Sequence, residues 1–173
     1  EVTWETYGPL KALCEQRAAT EVAPEKYTVL RPTYICGPGD HTDRFSYGPI
    51  RTRKGGEMLW PGAPADPIQI VDVRDLANFT IDCLDKDISG TFNMVNPPTS
   101  YTMGALLENC RAISSADVEA TWVSEEFLTA NGVEGGSLEL PIWWGKETAM
   151  KVSADRALAA GRHHRPERET ARD

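Results

Sequence analysis

Tyr7 and Lys11 lie four residues apart in Tyr7-Gly-Pro-Leu-Lys11. On a helix that spacing puts both side chains on one face. A tyrosine hydroxyl ordinarily ionises near pH ~10, and an ammonium beside it favours the phenolate. Such a hydroxyl can give or take a proton at a carbinol or carbonyl oxygen while hydride moves at the attached carbon. Alone the spacing is weak, because exposed helices carry it by chance. Its weight depends on the segments C-terminal to it.

Other residue types invite chemistry less directly. Arg44 follows the turn Gly37-Pro38-Gly39-Asp40. A guanidinium there could clamp a phosphate or carboxylate through two hydrogen bonds, or could be an ordinary solvated arginine. Arg51, Arg53 and Lys54 read as a solvated helix face. Within Asp72-Val-Arg74-Asp75, Asp72 or Asp75 reads as the cap of the following helix, with Asp75 preferred, and Arg74 as the partner of a neighbouring acid. Trp60, Trp122, Trp143 and Trp144 could line an apolar or aromatic substrate pocket, although tryptophans more often belong to the core. His163 and His164 sit in a basic run and read as surface residues. No metal site is expected: the four cysteines, Cys14, Cys36, Cys83 and Cys110, form no C-x-x-C and have no histidine at zinc spacing. All four fall in predicted helices or strands, so buried, reduced thiols of a cytoplasmic protein are expected.

Composition bounds the rest. The 173 residues are 40% hydrophobic and 25% charged, which is globular rather than disordered. No run approaches the ~20 apolar residues of a membrane span. The net charge of −8 disfavours a general nucleic-acid binder. A small-molecule substrate is the expected partner, with neither nucleic acid nor membrane.

The elements that must position these residues alternate between helix and strand, which gives an α/β class. A helix over Thr3–Thr20 is predicted, with Pro9 placing its start near Thr6–Gly8 or kinking it. Strand sequence follows at Tyr27–Tyr34, then the Cys36–Asp40 turn, a helix over Phe45–Lys54 and a short strand at Met58–Trp60. Pro67–Val71 reads as a strand. The helix after it carries Leu76, Phe79, Thr80, Cys83 and Leu84 on one face. Further strands are predicted at Thr91–Asn96 and Val118–Val123, and further helices at Thr102–Ile113 and Glu125–Ala130. A last helix is capped by Ser153 and runs through Ala160.

Four segments in order then strengthen the Tyr7–Lys11 pair. They are Tyr7-Gly-Pro-Leu-Lys11, Leu30-Arg31-Pro32-Thr33-Tyr34-Ile35-Cys36-Gly37-Pro38-Gly39-Asp40, Gln69-Ile-Val-Asp72-Val-Arg74-Asp75-Leu76-Ala77 and Gly90-Thr-Phe92-Asn93-Met-Val-Asn96. This order resembles the C-terminal half of the extended short-chain dehydrogenase/reductases, the NAD-dependent epimerase/dehydratase group. The resemblance covers residues 4–97, fades over 98–150 and returns in Ala157–Asp173. It implies the C-terminal part of a Rossmann-type doubly wound parallel sheet plus a smaller mixed α/β substrate lobe. Residues 1–40 would end the dinucleotide-binding domain. Residues 41–173 would be mostly substrate lobe, with 68–97 returning to the sheet.

The resemblance also implies roles. Tyr7 would be the acid/base, and Lys11 would hold the nicotinamide ribose and support the phenolate. Pro32, Thr33, Tyr34 and Ile35 would meet the nicotinamide end of NAD or NADP, and Arg44 would face substrate. The family's Gly-x-x-Gly-x-x-Gly loop, which cradles the pyrophosphate, does not occur in these residues. The chain is therefore read as a truncated half, inactive alone and able to associate with a second copy or another chain through an open sheet edge. The implied activity is NAD(P)-dependent oxidoreduction. The alternatives are a sugar-nucleotide epimerase or dehydratase, or a non-catalytic relative acting as a redox sensor or RNA-associated protein.

Overall fold

The computed structural model describes residues 2–98, 100–133, 135, 140, 142–145 and 151–173. Helix α1 spans Trp4–Glu21. Strands β1 (Thr28–Pro32) and β2 (Tyr34–Cys36) follow, then α2 (Tyr47–Arg53), β3 (Gly56–Pro61) and β4 (Ile70–Asp72). Next come α3 (Val73–Asp85), β5 (Gly90–Met94), α4 (Met103–Ala112), β6 (Val118–Val123) and α5 (Glu125–Ala130). Two short helices close the chain, α6 (Asp155–Ala159) and α7 (Glu167–Arg172).

The described strands pair in three parallel couples: β1 with β5, β2 with β4, and β3 with β6. Parallel pairs need crossovers, and helix α3 supplies the one between β4 and β5. Its apolar residues at helical spacing explain how it packs. Phe79 and Cys83 are buried against Val71, Phe92 and Met94. The Phe79 and Phe92 rings meet edge-on, 5.3 Å between centroids. Full burial of each such side chain contributes about 1.5–3 kcal/mol. The three residues of β4 are all buried, as expected of a strand covered on both faces.

The larger core lies between β3, β6 and α4. Met103, Leu106, Leu107 and Cys110 fall on one helical stripe and are all buried. They meet Met58 and Trp60 of β3, and Trp60 packs edge-on to Trp122 of β6. Two polar residues tie distant segments together. Asn96, fully buried, accepts from the Ile70 N–H at 2.6 Å and donates to Ser100 Oγ at 3.0 Å. Gln69 exchanges hydrogen bonds with both backbone groups of Val152, each at 2.9 Å.

Several sequence expectations need correction. Helix α1 starts at Trp4, ahead of the expected Thr6–Gly8, because Thr3 and Thr6 form a reciprocal capping box that fixes the first turn. Pro9 then sits inside the helix, where its missing N–H forfeits one bond to the Glu5 carbonyl. The single strand expected over Tyr27–Tyr34 is two strands broken at Thr33, each with a different partner. Of the two acids expected to cap α3, Asp72 does so and the preferred Asp75 does not: the Asp72 side chain accepts from the Arg74 N–H at 2.8 Å. Leu84 and Thr80 stand in solvent rather than on the packed face of α3. Arg51 is not free on a solvated face; it donates to the Gly55 carbonyl at 2.9 Å and to that of Glu57. Cys36, Cys83 and Cys110 are buried, but Cys14 is exposed, because α1 buries none of its described side chains. The sequence reading missed α7, although Pro166 followed by Glu167 and Glu169 is a fair helix-start signal.

Candidate functional site

Tyr7 and Lys11 stand one turn apart on α1, both exposed, Tyr7 by 54%. What places them is Glu15, one further turn along. Its backbone carbonyl accepts from the Tyr27 hydroxyl at 2.7 Å, and its carboxylate pairs with Arg31 of β1, with Nε at 2.9 Å. The hydrogen bond from Arg31 holds the Glu15 carboxyl below its ordinary range. Residues 22–27 connect α1 to β1, and at ~1.5 Å of rise per residue Tyr7 sits ~12 Å along the helix from Glu15. β1 itself runs to a carboxyl end beside that of β5.

That side is where ligands bind in open parallel sheets, outside the carboxyl ends of the strands. Here it holds the ends of β1, β2, β4 and β5, and the loop that follows β2 turns sharply across it. Gly37 (φ +108°) and Gly39 (φ +88°) adopt backbone angles that favour glycine. A Cβ on Gly37 would lie 3.1 Å from Asp72 Oδ2, so this glycine also permits a close approach of two strand ends. Asp40 accepts from the Thr42 N–H at 2.9 Å. Burial works against ionisation of Asp40, but the Thr42 hydrogen bonds and the charge of Arg44 bring its carboxyl below the ordinary value.

Arg44 is held in two ways. Its Nε donates to Thr42 Oγ1 at 3.0 Å, and its guanidinium lies 4.9 Å from the centroid of the Tyr34 ring. Tyr34 packs in turn against Trp144, 6.2 Å between ring centroids. Burial raises the Tyr34 phenol above its ordinary value, against a hydrogen bond with Trp144 and the charge of Arg44. Ile35, Cys36, Gly37, Asp40, Arg44 and Val73 line a cleft of about 240 Å³. Arg44 also borders a small apolar pocket with Phe45, Trp60, Leu106, Ile142 and Trp143.

Of the sequence-predicted residues, Arg44 borders both cavities and Ile35 the cleft, while Tyr34 lines neither and reaches them only through its contact with Arg44. Pro32 and Thr33 lie at the junction of β1 and β2, and Thr33 Oγ1 is buried with no hydrogen-bond partner. Tyr7 and Lys11 line neither cavity. Trp60 and Trp143 are buried core that also borders the apolar pocket, whereas Trp122 is half-buried. His163 is exposed, and His164 is half-buried, 3.1 Å from Glu167.

Sequence reasoning missed a clasp behind the glycine turn. Thr170 of α7 donates to Asp72 Oδ2 at 2.8 Å, and Arg74 pairs with both Asp72 and Asp173. Asp75, 2% exposed, accepts from Arg165 through both its backbone N–H, at 2.9 Å, and its Nε, at 2.7 Å. Arg162 is also buried and donates to the Val95 carbonyl at 2.6 Å. The signal was the density of opposite charges in two distant segments, Asp72–Asp75 and Arg162–Asp173, which the sequence alone could not pair.

No protein-family model and no curated protein matches the chain. Solved structures do. Over 93% of this chain and 49% of the other, it is similar to RMD from Pseudomonas aeruginosa, solved with NADPH, at 15% identity and a TM-score of 0.61. A GDP-L-fucose synthetase from Naegleria fowleri, bound to NADP, matches over 99% of this chain and 52% of its own, at 11% identity and a TM-score of 0.68. A candidate epimerase from Burkholderia cenocepacia J2315 matches over 84% and 44%, at 18% identity and a TM-score of 0.51. The chain thus spans about half the length of these proteins. It shares their fold, a Rossmann-like α/β arrangement with parallel strands, over about half of each of them.

Proposed function

We propose that this chain is part of an NAD(P)-dependent oxidoreductase in which Tyr7 exchanges the proton and Lys11 supports it. The observation that carries this reading is the placement of the pair. Tyr7 and Lys11 are exposed one turn apart, on a helix whose Glu15 is bonded to Tyr27 and to Arg31 of β1. The likeness to NADPH- and NADP-bound structures of the same fold supports it.

The residues at hand suit the nicotinamide end of such a cofactor. Thr33 Oγ1 is a buried polar atom without a partner, and Ile35, 37% exposed, offers an apolar surface beside it. A nicotinamide, when bound, supplies hydride exchange at carbon. The Tyr7 hydroxyl would pass a proton to or from the substrate oxygen. The Lys11 ammonium would favour the ionised hydroxyl and donate to a ribose. Arg44 would orient the substrate through its fixed guanidinium fork. The likeness to a GDP-L-fucose synthetase and to a candidate epimerase supports a second reading, a sugar-nucleotide epimerase or dehydratase.

Tyr7→Phe in the full-length protein tests the proposal. Turnover should fall by about 10²–10⁴-fold with cofactor affinity nearly unchanged. Retained turnover would remove Tyr7 from the chemistry. The 173-residue chain, which has no Gly-x-x-Gly-x-x-Gly loop, should show no micromolar NADPH binding in a fluorescence titration.

A further inference from the structure

Arg44 borders two cavities of opposite character, and their chemistry limits what can bind. The pocket between Phe45, Trp60, Leu106, Ile142 and Trp143 is about 30 Å³. A pocket of this size and lining suits a small aliphatic group such as an isopropyl. Its walls are mostly apolar, with Arg44 and Tyr47 as the polar side chains at its border. Trp60 Nε1 already donates to the Met103 carbonyl at 3.0 Å, and Trp143 Nε1 to Asp66 Oδ2 at 3.1 Å. A hydroxyl placed among the tryptophans would lose its water hydrogen bonds and find both indole donors already used, which is costly.

The mouth is different. Arg44 has its Nε on Thr42 and its plane over Tyr34, which leaves the two terminal nitrogens to form a fork. Among the described residues no carboxylate lies within ion-pair distance of that fork, and Asp40 gives its Oδ1 to the N–H and hydroxyl of Thr42. A fixed guanidinium of this kind suits a carboxylate bound by two hydrogen bonds. The adjoining cleft of about 240 Å³ has room for a few more carbons and polar atoms.

We infer that the site takes a small amphiphilic carbonyl or carbinol compound, with a short branched aliphatic end in the tryptophan-lined pocket and a carboxylate on Arg44. This substrate class rests on the oxidoreductase reading above and departs from a sugar nucleotide. Both cavities lie within the 173 residues, so binding can be measured without dinucleotide or turnover. The probes are 4-methylpentanoate, its neutral amide 4-methylpentanamide, and uridine diphosphate, each titrated into the chain by saturation-transfer NMR. The methyl protons of 4-methylpentanoate should receive saturation, and the acid should bind at least ~10-fold more tightly than the amide. Arg44→Gln should abolish that preference while leaving the melting temperature within a few degrees of the parent. Three results would each overturn the inference: no binding of the acid, binding that Arg44→Gln does not change, or tighter binding of uridine diphosphate. None of them bears on Tyr7, whose role fails only if turnover survives Tyr7→Phe.

Discussion

Asp75→Asn removes one charge from the clasp and keeps the side chain's shape. Asp75 is 2% exposed and satisfies two donors of Arg165, the backbone N–H and Nε. Removing one partner of a buried pair typically costs about 3–5 kcal/mol, because the remaining charge stays buried. Two local features adjust that figure in opposite directions. Arg165 keeps a 3.5 Å contact with Asp72, which reduces the loss. Arg162, buried and made less basic by desolvation, loses the favourable charge of Asp75, which adds to it. A cost of about 3 kcal/mol results, equivalent to a drop in melting temperature of about 6–12 °C for a chain of this size. Thermal and urea unfolding followed by circular dichroism would measure it. Adding Arg165→Met should recover at least ~1 kcal/mol, since the two residues are coupled through direct contact. A drop under 2 °C, or strictly additive single and double variants, would refute the idea that this pair holds the C-terminal segment down.

Other sites give further expected outcomes. Gly37→Ala should cost about 1–3 kcal/mol, because φ is +108° and the new methyl would lie 3.1 Å from Asp72 Oδ2; unchanged unfolding would show that the turn adapts. The Asp72 carboxyl lies below its ordinary value: burial opposes ionisation, but hydrogen bonds from Arg74 and Thr170 outweigh it. Its contribution is therefore fully present above the unfolded value of ~3.9 and is lost as pH falls through the lower folded value. Urea midpoints should decline below pH ~4, and less so in Asp72→Asn. Of the four cysteines, Cys14 alone should react quickly with a thiol reagent, because burial raises Cys83, pushes Cys110 up to about 12 and Cys36 further still; a second fast thiol would contradict the burial of Cys36, Cys83 or Cys110.

The sequence was most informative where spacing is local. The helices expected at Thr102–Ile113 and Glu125–Ala130 and the strand at Val118–Val123 could all be read directly, since each depends on residues within a few turns of one another. Order along the chain made the Arg-Pro strand and the glycine turn recognisable as parts of one fold. Pairings between distant segments were not legible. Nothing in Asp75 itself announces Arg165, and the acid at the head of a helix looked like a cap when it was a buried counter-charge. Arg44 was singled out for its chemistry, but its seat on Tyr34 depends on the broken strand that carries that ring. The apolar pocket beside it was foreshadowed only by the tryptophans, two of which line it while also serving as core.

The three strand couples share one property. None is a hairpin: Thr28 faces Gly90, Tyr34 faces Ile70 and Gly56 faces Val118. No couple can zip up from a tight turn, so each must wait until a long stretch of chain has closed. Proteins dominated by such non-local contacts fold on slower timescales, milliseconds to seconds rather than microseconds. During synthesis β1, β2 and β3 emerge well before the strands that pair with them, and their edges stay open in the interval. The order of the chain thus lengthens the time during which these edges can meet those of another molecule.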